Sequence, residues 1–136
     1  MPMINHPPSF LRYALLGDAV ASAATGLLMA AGAGLLSGTL GLPETLLQYA
    51  GLVLLPYAAF VAFIGTRPTV MRFAVWIVIL ANVLWSVESV ILLLSGWVSP
   101  AALGYAFVIF QAAVVLAFAV LQFIGLQRQR AVVAMA

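Results

Sequence analysis

Four long apolar segments dominate this sequence and limit what it can fold into. They cover residues 10–36, 45–65, 73–94 and 101–126. Each has at least the ~20 residues that an α-helix needs to cross ~30 Å of hydrocarbon. Because a bilayer offers no hydrogen-bond partner to the backbone, segments that cross it must be helices. The sequence therefore predicts an all-α, polytopic membrane protein, with four transmembrane helices in a single domain over residues 1–136.

The composition argues against several other classes of protein. Hydrophobic residues make up 66% of the chain and charged residues 6%, whereas soluble domains have about 25% charged residues. There is no cysteine, no lysine, and one histidine, His6, which precedes the first apolar segment. Thiol chemistry, histidine metal sites and most catalytic chemistry therefore lack their usual side chains. We expect no enzymatic activity, no metal, no cofactor and no nucleic-acid partner.

The polar breaks between the segments are short. Residues 37–44, 66–69 and 95–100 are rich in Ser, Thr, Gly and Pro, which favour turns. Short connections place consecutive helices antiparallel and in contact, so we predict an antiparallel four-helix bundle. Residues 1–9 contain three prolines and are predicted to form an extended tail. A cleaved signal peptide is the alternative, although the tail lacks basic residues and Asp18 interrupts the first segment.

The arginines predict the orientation in the membrane. With four spans, the N-terminus, the second loop and the C-terminus share one side. All five arginines lie on that side: Arg12, Arg67, Arg72, Arg128 and Arg130. The opposite side carries Glu44 and no basic residue. Under the positive-inside rule, both termini are predicted to be cytoplasmic.

A short pattern recurs in the first and third breaks. Residues 35–38 and 93–96 are both Leu-Leu-Ser-Gly, and a proline follows each of them. One interpretation is that a helical hairpin was duplicated, which would give two halves of parallel orientation. The other is that turns at a membrane surface generally favour Ser, Gly and Pro.

Polar residues inside the apolar segments are the candidate functional residues, because they are costly in a membrane. Asp18 lies ~9 Å along the first helix from Arg12, close to the predicted cytoplasmic surface. The simplest interpretation is an ion pair at this rim of the bundle, and Arg72 is the predicted partner.

Glu88 is in a different position. It lies ~24 Å along the third helix from Arg72, near the surface where no basic residue is predicted. An unpaired carboxylate in hydrocarbon is so costly that it takes up a proton or faces a water-filled cavity. Glu88 is therefore our candidate proton or cation site, and the alternative is a side chain that reaches the outer headgroups. Asp18 and Glu88 differ in depth by ~15 Å, so we do not expect one paired-carboxylate site.

Two amides lie near the predicted midplane. Asn82 and Gln111 are ~15 Å and ~16 Å from the ends at which their helices begin. One interpretation is that they hydrogen-bond across the bundle, or to the Leu52 carbonyl that Pro56 leaves free, and so fix the packing. The alternative is a polar chamber at the midplane. Trp85 and Tyr57 would be the aromatic walls of that chamber.

Several short motifs resemble an uncharacterised family of small four-helix bacterial membrane proteins. The motifs are Leu11-Arg12, Asp18-Ala19, Thr25-Gly26-Leu27-Leu28, Leu42-Pro43, Asn82-x-x-Trp85, Ser95-Gly96-Trp97, Leu103-Gly104-x-Ala106-Phe107 and Gln111-Ala112. The resemblance implies a bacterial inner membrane and no particular activity. In size and helix count the chain is also similar to small multidrug-resistance transporters. Those proteins have their key glutamate in the first helix, where this chain has Asp18 close to the rim.

Two functions follow from these predictions. In the first, the chain binds or transports a small ligand or ion, with proton linkage, and Glu88 is the proton or cation site. Asn82, Trp85 and Gln111 would line the path. A homo-oligomer is expected in that case, because four helices leave little room for alternating access by a monomer. In the second, the chain is a non-transporting structural or accessory subunit whose polar residues only fix the packing.

Overall fold

The computed structural model describes the backbone of residues 9–135 and the side chains of residues 10–129. Within these residues the structure is all-helical. The helices are α1 (Ser9–Ala31), α2 (Ala33–Leu40), α3 (Glu44–Thr66), α4 (Arg72–Leu94) and α5 (Ala102–Met135). All except α2 are long and apolar enough to cross a membrane, so the chain is a multi-pass membrane protein. The predicted N-terminal tail before residue 9 and the side chain of Arg130 lie outside the described residues.

The four predicted membrane helices are confirmed, and the first of them differs in one respect. It is divided at Gly32, where φ is −102° and ψ is 17°, so that α2 follows α1 after a bend. The helical hydrogen bonds continue through the bend, from Gly32 N to Leu28 O at 2.8 Å and from Leu36 N to Gly32 O at 2.9 Å. The division is therefore a kink in one long helix.

The last helix is longer than predicted. It continues from the predicted end at Leu126 to Met135. Residues 127–135 contain no glycine or proline, so nothing in that stretch ends a helix. The thickness of the membrane limits the length of the apolar segment, whereas backbone propensity decides where the helix ends. The helix can therefore continue beyond the apolar segment.

The helices pack as two pairs. The most extensive contacts are between α1 and α3 and between α4 and α5, and contacts of α1 with α5 join the two pairs. By contrast, α3 and α4 touch only slightly, although they are consecutive in the chain. The prediction that consecutive helices lie in contact is therefore wrong along most of α3 and α4. The space left between the pairs is where the candidate site lies.

A close contact joins the pairs at the end that carries Glu44. The backbone N–H of Ala101 donates to the Leu40 carbonyl at 2.9 Å, just before α5 begins. A side chain at Gly104 would overlap the same carbonyl oxygen, so this approach requires glycine. Gly41, with φ of 70°, ends α2 and turns the chain away. We call this junction the Leu40–Ala101 contact.

Candidate functional site

A group of polar side chains, all buried except the half-buried Tyr57, lies where the four long helices meet. Its members are Asp18 and Ser22 on α1, Tyr57 on α3, Asn82 on α4 and Gln122 on α5. We call these five residues the polar cluster. Asp18 is 1% exposed, Asn82 3% and Gln122 0%. Because all four helices contribute to it, the cluster joins both helix pairs.

The carboxyl group of Asp18 is the centre of the polar cluster. Its Oδ2 accepts hydrogen bonds from Nδ2 of Asn82 at 2.9 Å and from Nε2 of Gln122 at 2.8 Å. The Tyr57 hydroxyl lies 2.8 Å from the same oxygen, and Ser22 Oγ donates to Oδ1 at 3.1 Å. Nδ2 of Asn82 also donates to Oε1 of Gln122 at 3.0 Å. The cost of burying a carboxyl group is thus offset by hydrogen bonds from every neighbouring helix.

The predicted ion pair between Asp18 and Arg72 is wrong. The Arg72 guanidinium donates instead to the Leu126 carbonyl at 3.4 Å. Arg12, which precedes Asp18 on the same helix, donates to the Gly65 carbonyl at 2.5 Å. These side chains satisfy backbone carbonyls, and for Arg12 the carbonyl is at the C-terminal end of α3, where a cation is favourable. The Asp18 carboxyl points into the bundle interior and meets uncharged groups there.

Asp18 and Asn82 were predicted to lie at different depths in the membrane, but the fold brings their side chains together. Counting along each helix put Asp18 and Asn82 at depths ~6 Å apart, one near the rim and the other near the midplane. Their side chains nevertheless meet at 2.9 Å. The count started at the arginine of each helix, and long arginine side chains reach the surface from a range of backbone depths.

Gln122 is the cluster residue that sequence reasoning missed. It follows Gln111 by eleven residues, which is close to three helical turns, so the two glutamines share a face of α5. It also precedes Arg128 by six residues, the spacing that separates Arg12 from Asp18. The first spacing places Gln122 on the face of α5 that carries Gln111, and the second places it at the depth of Asp18. They are the signals that would have found it.

Trp85 and Gln111 belong to a second polar contact. The Trp85 indole N–H donates to Oε1 of Gln111 at 2.7 Å, and Nε2 of Gln111 donates to Ser89 Oγ at 3.0 Å. These side chains are half-buried. The structure therefore unites Trp85 with Gln111 and Tyr57 with Asn82, in two separate groups of hydrogen bonds.

Three cavities surround Trp85, which lines all of them, and we call them together the cleft. Their volumes are about 310, 200 and 340 Å³. Gln111 lines the two larger ones. The rest of the wall is mostly aliphatic and aromatic, and includes Phe107. The cleft is thus an apolar space with few hydrogen-bonding groups, as small-molecule sites generally are.

Two carboxyl groups line different parts of the cleft. Glu88 is exposed and borders the 310 Å³ and 200 Å³ cavities. Asp18 borders the 340 Å³ cavity, and Tyr57 and Asn82 border the 200 Å³ cavity. Of the described residues that line the cleft, none is basic. The polar cluster therefore forms part of the wall of the cleft, and Glu88 forms another part of it.

The chemistry available at this site is that of amides, hydroxyls, one indole and two carboxyl groups. Within the described part of the chain, no three His, Cys, Asp or Glu side chains lie together as metal ligands would. Groups of this kind exchange hydrogen bonds and protons with one another and with a bound molecule.

Comparison of the chain with protein-family models, curated proteins and solved structures finds no match. The resemblance to small bacterial membrane proteins therefore stays a prediction. A functional conclusion has to come from the geometry of the polar cluster and the cleft.

Proposed function

We propose that this chain binds a small ligand in the cleft and transports it across a bacterial inner membrane, as a homo-oligomer and with proton linkage. In this proposal the long helices form an antiparallel bundle with both termini in the cytoplasm. The observation that carries the proposal is the cleft itself. Trp85 lines three cavities between helix pairs that hardly touch along α3 and α4.

The size and wall of the cleft support a small ligand. The two larger cavities measure about 310 and 340 Å³, the lower end of the ~300–1,000 Å³ range of ligand pockets. Apolar and aromatic side chains supply most of the contact area. Trp85, Gln111 and Ser89 supply the hydrogen-bonding groups that would orient a ligand.

The charge of the wall supports a neutral or cationic ligand over an anion. Glu88 supplies an exposed carboxyl group, and no basic residue is among the described lining residues. Aromatic faces such as that of Trp85 also attract cations. Glu88 keeps its role as the candidate cation site, since it is the exposed carboxyl group of the cleft.

The arginines support the proposed orientation. Arg12 donates to Gly65 O at the end of α3, and Arg72 begins α4, so both lie at the same end of the bundle. The opposite end has Glu44 in the first turn of α3. This asymmetry is the one that the positive-inside rule uses.

A structural or accessory subunit is the second candidate function. It is favoured by the hydrogen bonds that join Asp18 to α3, α4 and α5, because such contacts would also fix packing without any ligand. The two candidates differ in the cleft. An accessory subunit needs no binding there.

Ligand binding is tested with Trp85 as the reporter. The chain has three tryptophans, so Trp76→Phe combined with Trp97→Phe leaves Trp85 alone. We expect benzyltrimethylammonium, a small aromatic cation, to change Trp85 fluorescence saturably. Benzenesulfonate, an aromatic anion of similar size, should bind at least about tenfold more weakly, a difference of ~1.4 kcal/mol.

The control for this titration is Trp85→Phe with Trp76 and Trp97 retained, which should give no saturable signal. Equal responses to the cation and the anion would contradict the proposed charge preference. Without any saturable response, the accessory function is favoured. The mass of the protein in mild detergent provides the second test, because a strict monomer would contradict transport by an oligomer.

A further inference from the structure

If Asp18 is ionised, the polar cluster has one hydrogen fewer than it has contacts of hydrogen-bonding length. Six contacts of 2.8–3.1 Å link its five side chains. Hydrogens of Ser22, Asn82 and Gln122 fill four of these contacts. The other two belong to the Tyr57 hydroxyl, which lies 2.8 Å from Oδ2 of Asp18 and 2.8 Å from Oδ1 of Asn82. Because Tyr57 has a single hydroxyl hydrogen, one of these oxygen–oxygen contacts has none.

Exchanging the nitrogen and oxygen of either amide does not supply the missing hydrogen. If Asn82 is rotated, it donates to Tyr57, but its oxygen then faces the oxygens of Asp18 and Gln122. If Gln122 is rotated, its oxygen faces Oδ2 of Asp18. Each alternative orientation leaves at least two contacts without a usable hydrogen, whereas the orientation in the structure leaves one.

We propose that the polar cluster is a proton-binding site, in which Asp18 carries a proton on Oδ2 and donates it to the Tyr57 hydroxyl. Tyr57 then donates its own hydrogen to Oδ1 of Asn82. A protonated carboxyl oxygen still accepts hydrogen bonds through its lone pairs, so the amides of Asn82 and Gln122 keep their contacts. All six contacts then contain one hydrogen each.

The surroundings of Asp18 agree with a neutral carboxyl group. The side chain is 1% exposed, and an unpaired charge is costly at such a site. The groups that face it are the Tyr57 hydroxyl from α3 and uncharged amides from α4 and α5. Arg12 and Arg72 bind backbone carbonyls, so neither supplies a counter-charge by direct contact.

This inference rests on the geometry of the cluster and does not depend on the proposed transport. The proton would be present in an accessory subunit as well. If no ligand binds at Trp85, the proposed proton site is not contradicted. If Asp18 is ionised, ligand binding in the cleft is not contradicted either.

Isotope labelling tests the proposal on the unmodified protein, because Asp18 is the sole aspartate in the chain. Protein made with aspartate that carries carbon-13 in the side-chain carboxyl group reports on this residue alone in the infrared spectrum. At neutral pH in mild detergent, we expect the isotope-shifted C=O stretch of a protonated carboxyl group, and a further shift in D₂O. Isotope-shifted bands of an ionised carboxylate would overturn the proposal. If those bands depended on Na⁺, the cluster would be a metal-cation site instead.

The infrared band of Asp18 in the Tyr57→Phe variant separates a proton site from a purely structural role, because a structural role predicts no change in this band. The variant removes the acceptor of the Asp18 proton and also the contact that lacked a hydrogen, so each of the four remaining contacts contains a hydrogen when Asp18 is ionised. We expect the protonated-carboxyl band to lose intensity to carboxylate bands in this variant. Glu88→Gln, outside the cluster, should leave the band unchanged. An unchanged band in Tyr57→Phe would contradict the proposed placement of the proton.

Discussion

The polar cluster and the cleft are neighbours in the same bundle, but the helices meet differently in each. In the cluster, side chains from four helices lie within hydrogen-bonding distance and Gln122 is fully buried. Around Trp85, the helix pairs stand apart and leave three cavities. Lipid tails are as apolar as leucine, so membrane helices associate through close packing and interhelical hydrogen bonds, without a hydrophobic driving force. Apolar side chains from all four long helices also pack together, among them Leu15, Val61, Val75 and Ala119. The cleft therefore differs from the cluster in the space that it leaves between the helix pairs, and not simply in being apolar.

The largest effect should come from Asn82→Leu, which removes the residue that contacts Asp18, Tyr57 and Gln122. We expect the free energy of unfolding in mild detergent to fall by ~2–3 kcal/mol, because several bonds are lost and Asp18 loses a donor. Val83→Leu, at the exposed neighbouring position, is the matched control and should change little. A loss from Asn82→Leu no greater than that of the control would show that the cluster does not close the bundle.

Gln122→Leu should have the next largest effect. The variant loses the bonds to Asp18 and Asn82, and we expect ~1–2 kcal/mol of destabilisation in the same unfolding measurement. Gln127→Leu changes the same residue type at an exposed position of the same helix, so it should be nearly neutral. Equal effects of the two substitutions would contradict the assignment of Gln122 to the cluster.

A smaller effect is expected from Gln111→Leu in the cleft. Gln111 bonds to Trp85 and Ser89, and single bonds between membrane helices average ~0.6 kcal/mol. The free energy of unfolding should therefore fall by less than in either cluster variant. In the protein with Trp85 as its single tryptophan, the fluorescence emission should shift, because the indole loses its hydrogen-bond acceptor. A loss of stability as large as that of Asn82→Leu would remove the distinction between cluster and cleft.

The smallest change in stability should come from Val115→Phe, which adds volume beside the 200 and 340 Å³ cavities. A packed core would lose ~1–3 kcal/mol from such overpacking, whereas a cleft can accept the ring with little change in unfolding. Binding of benzyltrimethylammonium should weaken by about tenfold because the space is filled, a change of ~1.4 kcal/mol. Strong destabilisation together with unchanged binding would mean that this part of the cleft is not where the probe binds.

Much of the fold could be predicted, because the length of an apolar segment decides whether a helix crosses a membrane. The kink at Gly32 could not, since the sequence pattern is apolar on both sides of it. The polar positions Asn82, Trp85, Tyr57 and Gln111 also stood out as costly residues in apolar surroundings. Their hydrogen-bond partners could not be predicted, because they depend on how each helix is rotated about its axis and shifted along it.

Asp18 shows this limit most clearly. Its depth could be counted from Arg12, but a count along one helix says nothing about the direction in which the side chain points. The arginines expected at a similar depth therefore suggested an ion pair with Arg72, while the fold placed Tyr57, Asn82 and Gln122 around Asp18. Uncharged partners for a carboxyl group are harder to predict than charged ones, because amides and hydroxyls are less distinctive in sequence.

The Leu40–Ala101 contact has a mechanical consequence for the cleft. The helix pairs are joined at this backbone hydrogen bond and again at the polar cluster. Two attachments oppose a rigid-body separation of the pairs. Widening the cleft requires a long helix to bow between the two attachments, and Pro56 is where α3 bends most easily. The side with the fewest attachments is the seam between α3 and α4. A molecule dissolved in the lipid would thus have a more direct route to Trp85 than one arriving from the water at either end.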